Sequence, residues 1–197
     1  MPIAIYTETG FAHRCRERGG DNKMRAIVEN IQMSGVEGVD SDGNNVIWLL
    51  YRGQLIPRDV SHVRIDPSVN VILPGHAFEG SKQLVEVELC EGIERIGAAA
   101  FQNCKSLKYI SKVPSSLKVI DGSHTFNNCE QLVEVELCEG LEDIGWAAFY
   151  RCKSLRRVNL PSTVKDIGKQ TFYDCQQLVN LVLCDGVEKI NKAAHET

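Results

Sequence analysis

The sequence predicts a β-rich α/β repeat solenoid, and three observations carry that expectation. Cysteine recurs at one nearly constant step, at Cys104, Cys129, Cys152 and Cys175. Phenylalanine keeps the same step at Phe78, Phe101, Phe126, Phe149 and Phe172, and leucine keeps it at Leu84, Leu107, Leu132, Leu155 and Leu178. Inside each step, alternating apolar residues such as Val87 and Leu89 mark a short half-buried strand. A fixed step of this length signals stacked supersecondary units rather than one closed core.

Written from each leucine, the unit reads L-x-x-V-x-L-[C/P]-x-x-[L/I/V]-x-x-I-G-x-x-[A/T]-F-x-x-C-x-x and spans 23 residues. Copies start at residues 84, 107, 132 and 155, with a truncated copy at 178 and a degenerate first copy over 60–83. The copy from Leu107 carries two extra residues, near Lys112 and Gly122. Segment Leu84–Leu107 matches Leu132–Leu155 at 19 of 24 positions, so the duplicated element is a pair of repeats. Cys90, Cys138 and Cys184 accordingly alternate with Pro114 and Pro161. In the last copy His195 stands where phenylalanine belongs.

Each part of the unit has a physical role. The strand of L-x-x-V-x-L ends at proline or Cys-Glu-Gly, because proline cannot donate to a ladder. A second apolar pair, such as Ile93 and Ile96, then turns inward. Gly97, Asp121, Gly145, Gly168 and Asn191 follow, residues that tolerate positive φ, and a left-handed backbone is expected there. Ala-Phe-x-x-Cys closes the coil as a short turn or one helical turn, with phenylalanine and cysteine pointing inward. One such coil cannot bury its apolar residues alone, so neighbours stack. Each buried Leu, Ile or Phe contributes about 1.5–3 kcal/mol, which suffices for a core once about five coils are stacked.

This pattern resembles the BspA-like class of leucine-rich repeats over residues 60–197. The resemblance implies a right-handed, curved solenoid with a parallel sheet on its concave side. Residues 1–59 stand outside the repeat and are expected to cap its first coil, since repeat arrays need a covered edge. Within them, Asp21 could cap a helix in which Met24, Ile27, Val28 and Ile31 share a face, ending at Ser34-Gly35; the same residues also fit a strand. Val46–Tyr51 followed by Arg52-Gly53 reads as a buried strand and a turn.

Composition excludes several functions. The chain has 197 residues, 43% hydrophobic and 24% charged, with a formal charge of −4, the wrong sign for binding a phosphate backbone. No apolar run reaches the length of a membrane span. Met1–Gly10 has neither a basic n-region nor an apolar h-region, and no glycosylation sequon occurs, so a cytoplasmic location is expected. Cysteines at a repeat step form neither a disulfide framework nor a zinc site, and all eight are expected to be free thiols. Asp40-Ser41-Asp42-Gly43-Asn44 has a calcium-loop flavour, but its glycine and its twelfth residue, Tyr51, do not fit an EF-hand, and a turn is the better reading. The five histidines show no ligand spacing. No cofactor is expected.

The outward strand positions carry the functional expectation. They are Glu86 and Glu88, Tyr109 and Ser111, Glu134 and Glu136, Arg157 and Asn159, and Asn180 with Val182. Residues two apart on a strand share a face, separated by about 6.5–7 Å, near the carboxyl spacing of inverting glycosidases. An open sheet would keep both carboxylates in water, where neither is tuned for acid catalysis, so an enzyme is not expected. Stacked strands would instead align these side chains in a strip roughly 20 Å long, acidic at its start, with Tyr109 and Arg157 of types enriched at binding hot spots. The expected function is a non-enzymatic scaffold that binds a protein partner with basic residues. The alternatives are a cell-surface or adhesion protein, or a fragment of a larger signalling protein. The open edge of the last coil would admit a second chain, and residues from about 186 onward are expected to be loose without one.

Overall fold

The computed structural model describes residues 34–69, 72–121 and 123–182, together with the backbone of Tyr6–Thr7 and Lys189–Ile190. The expected helix from Asp21, Cys15, Cys184, Asn191, His195 and the expected loose terminus lie outside or almost outside these residues. Among the described residues there is no helix; the coil closures are turns.

Among the described residues, fifteen short strands build two sheets. In chain order, β1 is Tyr6–Thr7, β2 Ser34–Val39, β3 Asn45–Tyr51, β4 His62–Ile65 and β5 Ile72–Leu73. Three-residue strands then alternate with two-residue strands: β6 Glu86–Glu88, β7 Arg95–Ile96, β8 Tyr109–Ser111, β9 Val119–Ile120 and β10 Glu134–Glu136. The series ends with β11 Asp143–Ile144, β12 Arg157–Asn159, β13 Asp166–Ile167, β14 Asn180–Val182 and β15 Lys189–Ile190. One sheet runs β1-β2-β3-β4-β6-β8-β10-β12-β14, and the other joins β5, β7, β9, β11, β13 and β15. All pairings are parallel except the β2–β3 hairpin. The N-terminal segment therefore extends the array's own sheet, with β3 pairing β4 in parallel through Leu49↔Val63 and Tyr51↔Ile65.

Between the sheets the repeated residues form columns. Phe78, Phe101, Phe126, Phe149 and Phe172 stack nearly face to face, with centroids 5.1, 5.2, 5.2 and 5.6 Å apart. Such offset stacks add about 0.5–1.5 kcal/mol per pair beyond the area they bury. Tyr51 of β3 adds one more aromatic ring to this column, 4.9 Å from Phe78. Beside it runs a thiol ladder. Cys104, Cys129, Cys152 and Cys175 each donate S–H to the carbonyl of the phenylalanine one coil back, at 2.9–3.2 Å. Cysteine is thus a small apolar residue that also satisfies a buried carbonyl. All six described cysteines are free.

The left-handed positions differ from expectation. Positive φ occurs at Ala99, His124, Ala147 and Gln170, and again at Asn103, Asn128, Arg151 and Asp174, not at Gly97, Asp121, Gly145 or Gly168. The left-handed residues aim their N–H groups along the stack: Ala99 donates to Ser123 and Asn103 to Asn127, one coil on. Glycine precedes the turn for another reason. Gly97 N–H donates to the Leu73 carbonyl at 2.9 Å, and a Cβ there would stand 2.5 Å from the Gly75 nitrogen. At Gly168 a Cβ would collide with the Gly145–Trp146 peptide. Adjacent coils touch backbone to backbone, so the space rather than the torsion demands glycine.

Candidate functional site

Strand register sets the outward residues in two rows. The first runs His62, Glu86, Tyr109, Glu134, Arg157 and Asn180, each directly opposite the next. The second runs Arg64, Glu88 and Ser111, and resumes as Glu136, Asn159 and Val182. It breaks between Ser111 and Glu136 because β8 pairs β10 only through Tyr109 and Ile110. Lys112, at the site of one of the two insertions, takes positive φ just past the strand end. The expected strip residues from Glu86 to Asn159 therefore share one face, and Asn180 continues the backbone register.

That face is not open along its whole length. The β2–β3 turn, Asp40–Asn44, folds over the first three coils, with Asp40 Oδ1 accepting the backbone N–H of Asp42 at 3.1 Å and of Asn44 at 2.7 Å. Ser41 donates its N–H and its hydroxyl to the two oxygens of Glu86, both at 2.8 Å. Tyr109 donates its hydroxyl to Asp42 Oδ1 at 2.8 Å, and Lys108 Nζ lies 3.4 Å from Asp42 Oδ2. His62 Nε2 stands 3.5 Å from Asp40 Oδ2, at ion-pair range without hydrogen-bond geometry. Behind the turn, Arg64 and Lys112 both reach Glu88, at 2.9 and 2.6 Å, and the Arg64 guanidinium lies over the Trp48 ring.

The expectation that Glu86 and Glu88 stand in water is thus overturned. They are 2% and 8% exposed, because the chain covers them with its own turn and cations. A buried carboxylate persists only when its oxygens are matched, and here each is. Tyr109, expected as a free anchor, already spends its hydroxyl on Asp42, and that hydrogen bond to a carboxylate pushes its phenol pKa up. The Asp40 carboxyl is held below the usual range, chiefly by the Asn44 backbone N–H.

From Glu134 onward the face is different. Nine residues, Leu84–Gly92, recur unchanged as Leu132–Gly140. Yet the Glu134 side chain is 43% exposed and that of Arg157 56%, only 3.7 Å apart, and Glu136 and Asn159 are exposed. Ser111 is half-buried, and of Asn180 the backbone register alone is described.

A second surface feature escaped the sequence reading. On the two-residue-strand side, Asp143, Trp146, Asp166 and Lys169 line a shallow open groove of ≈ 490 Å³. The Trp146 ring is half exposed, with His124 set edge-on at 4.5 Å. The available signal was the mismatch of Ala98 with Trp146 between otherwise matching copies.

Among the described residues, no helix is long and apolar enough to cross a membrane, and no three His, Cys, Asp or Glu residues gather as metal ligands. A search of curated proteins found no match. Among solved structures, the chain is similar to a leucine-rich repeat protein of T. pallidum, at 30% identity and a TM-score of 0.59 over 73% of this chain and 66% of that one. A leucine-rich repeat protein of Bacteroides ovatus matches at 27% identity and a TM-score of 0.54, over 78% of this chain. A leucine-rich cell surface protein of Faecalibacterium prausnitzii matches at 24% identity and a TM-score of 0.57, over 74% of this chain, a likeness of fold alone. The chain spans just under two thirds of the first of these proteins and only 40% and 37% of the other two. The BspA-type leucine-rich repeat region matches as six copies over residues 59–179 and 111–197. With its phenylalanine column, thiol ladder and parallel strand rows, the chain belongs to the BspA-type leucine-rich repeat family.

Proposed function

We propose that this chain is a non-enzymatic scaffold that takes a protein partner on the open half of its concave face, through Glu134, Glu136, Arg157 and Asn159, with Asn180 next in the row. One observation carries the reading: the outward row is covered by the chain's own turn as far as Tyr109 and reaches solvent at Glu134 and Arg157. An aligned, exposed row of mixed charge suits recognition, because rim charges steer encounter and fix register. Catalysis by the carboxylate pairs is disfavoured in the covered half, where Glu86 and Glu88 already accept from Ser41, Arg64 and Lys112. The free, buried thiols fit a reducing compartment such as the cytoplasm.

The test uses the full chain as bait beside a variant carrying Glu136→Lys and Arg157→Glu. These side chains leave the core untouched, so both baits fold alike. A partner captured by the first and lost by the second supports the reading. Equal capture by both baits moves the site elsewhere and removes the reason for naming these residues.

A further inference from the structure

The turn that covers the first coils shows how this face reads a polypeptide. Three consecutive residues meet three consecutive strands: Asp40 lies at His62 on β4, Ser41 at Glu86 on β6, and Asp42 at Tyr109 on β8. Successive Cα atoms are about 3.8 Å apart and neighbouring strands about 4.8 Å apart, close enough for one residue per coil over a short crossing. The covering segment thus lies across the strands.

Forty-eight residues on, two coils along the array, the same constellation returns. Glu134 repeats Glu86, and Arg156 and Arg157 stand where Lys108 and Tyr109 stand in the covered half. In the covered half, Glu86 accepts one backbone N–H and one hydroxyl from a serine, and the next strand binds the following carboxylate through a hydroxyl and a cation. In the open half, Glu134 faces Arg157 across β10 and β12, exposed and separated by 3.7 Å. We infer that Glu134 and Arg157 form a second seat, which takes from a partner protein a turn bearing serine or threonine followed by aspartate or glutamate. This rests on the scaffold reading above and names the partner's chemistry.

The hydroxyl and amide of the first residue go to Glu134, and the carboxylate of the second goes to Arg157. Arginine in place of tyrosine makes the second contact stronger, since a guanidinium can grip a carboxylate with two parallel bonds. One difference offers a further contact. Glu88 is matched by Arg64 and Lys112, but Ser111 stands in place of Arg64 before Glu136, and the extra residue Lys112 has no counterpart two coils on. Glu136 is left exposed, so a basic residue beside the acidic turn would complete the match.

The probe is the chain's own turn supplied separately, a peptide of residues 37–47 closed by a disulfide between added terminal cysteines. Its binding to the full chain is followed by fluorescence anisotropy. Binding is expected to weaken about tenfold with Glu134→Gln, with Arg157→Ala, or with Ser41→Ala or Asp42→Asn in the peptide, as for the loss of one charge-assisted bond. No binding up to about 1 mM overturns the inference. So does binding that survives Glu134→Gln and Arg157→Ala but falls with Tyr109→Phe, because the peptide would then be displacing the resident turn. If a captured partner needs Arg157 but meets it without a Ser/Thr-acidic pair, the second seat is wrong and the scaffold reading stands. If capture never depends on Arg157 or Glu136, the scaffold reading itself fails.

Discussion

Leu84–Gly92 and Leu132–Gly140 are the same nine residues in two places on one sheet, and they meet opposite environments. In the first copy both glutamates are buried and fully matched; in the second both reach solvent. The difference arises from segments far away in sequence. Ser41 reaches Glu86 across 45 residues, Tyr109 reaches Asp42 across 67, and Arg64 and Lys112 reach Glu88 from the coils on either side. A repeat fixes where a side chain points, whereas its neighbours decide whether that direction is water.

The contrast can be broken at its strongest point first. Glu86→Ala removes both acceptors of Ser41 and is expected to cost about 1–2 kcal/mol, while Glu134→Ala is expected to fall within about 0.5 kcal/mol of the parent. Urea midpoints of the two variants measure this, and equal midpoints would mean the covering turn holds nothing together. A smaller effect attends Tyr109→Phe, about 1 kcal/mol for one hydroxyl bond to a carboxylate. The same bond raises the phenol's pKa, so Asp42→Asn is expected to move the Tyr109 step of an ultraviolet titration downward. A titration unchanged by that substitution would sever the two residues.

Acid sharpens the comparison further. The folded pKa of Asp40 is lowered, so the stabilisation it provides is complete above the ordinary carboxyl value of about 4 and is lost as pH falls through the lower folded value. Amide exchange at Asn44, relative to its intrinsic rate, is expected to quicken over that acidic range, with the coils beyond Glu134 responding less. Protection of Asn44 relative to its intrinsic exchange rate that stays constant as pH falls below the ordinary carboxyl value would contradict this.

The least difference is expected underneath. Burial pushes the thiols of Cys104 and Cys175 up to about 12, and those of Cys129 and Cys152 well above their usual value. These four lie under the covered and the open halves alike. All are expected to resist a thiol reagent until the chain unfolds; rapid native labelling of Cys152 but not Cys104 would show a looser array beneath the open half.

The repeat's local chemistry made the architecture legible. Leu84 through Cys175 repeat at a step that only stacking explains, and alternation within L-x-x-V-x-L placed the strands to within a residue. The outward strip followed from the same alternation. At Gly97 the sequence suggests a torsional rather than a spatial reason, because close approach of two coils cannot be seen inside one coil. Trp146 stands out in the sequence only by its mismatch with Ala98, since a single aromatic residue breaks no period.

By itself, then, the sequence determined the solenoid, its inward columns of phenylalanine and cysteine, and the outward strand residues from Glu86 to Asn159, since all of these depend on contacts between neighbouring copies of one pattern. Only the tertiary structure decided which outward residues are available. The Asp40–Asn44 turn, joined to the sheet through β3 beside β4, happens to cross His62, Glu86 and Tyr109 and to stop before Glu134. Where a hairpin end lands depends on the strand pairing and twist of the whole edge, and no local periodicity encodes that.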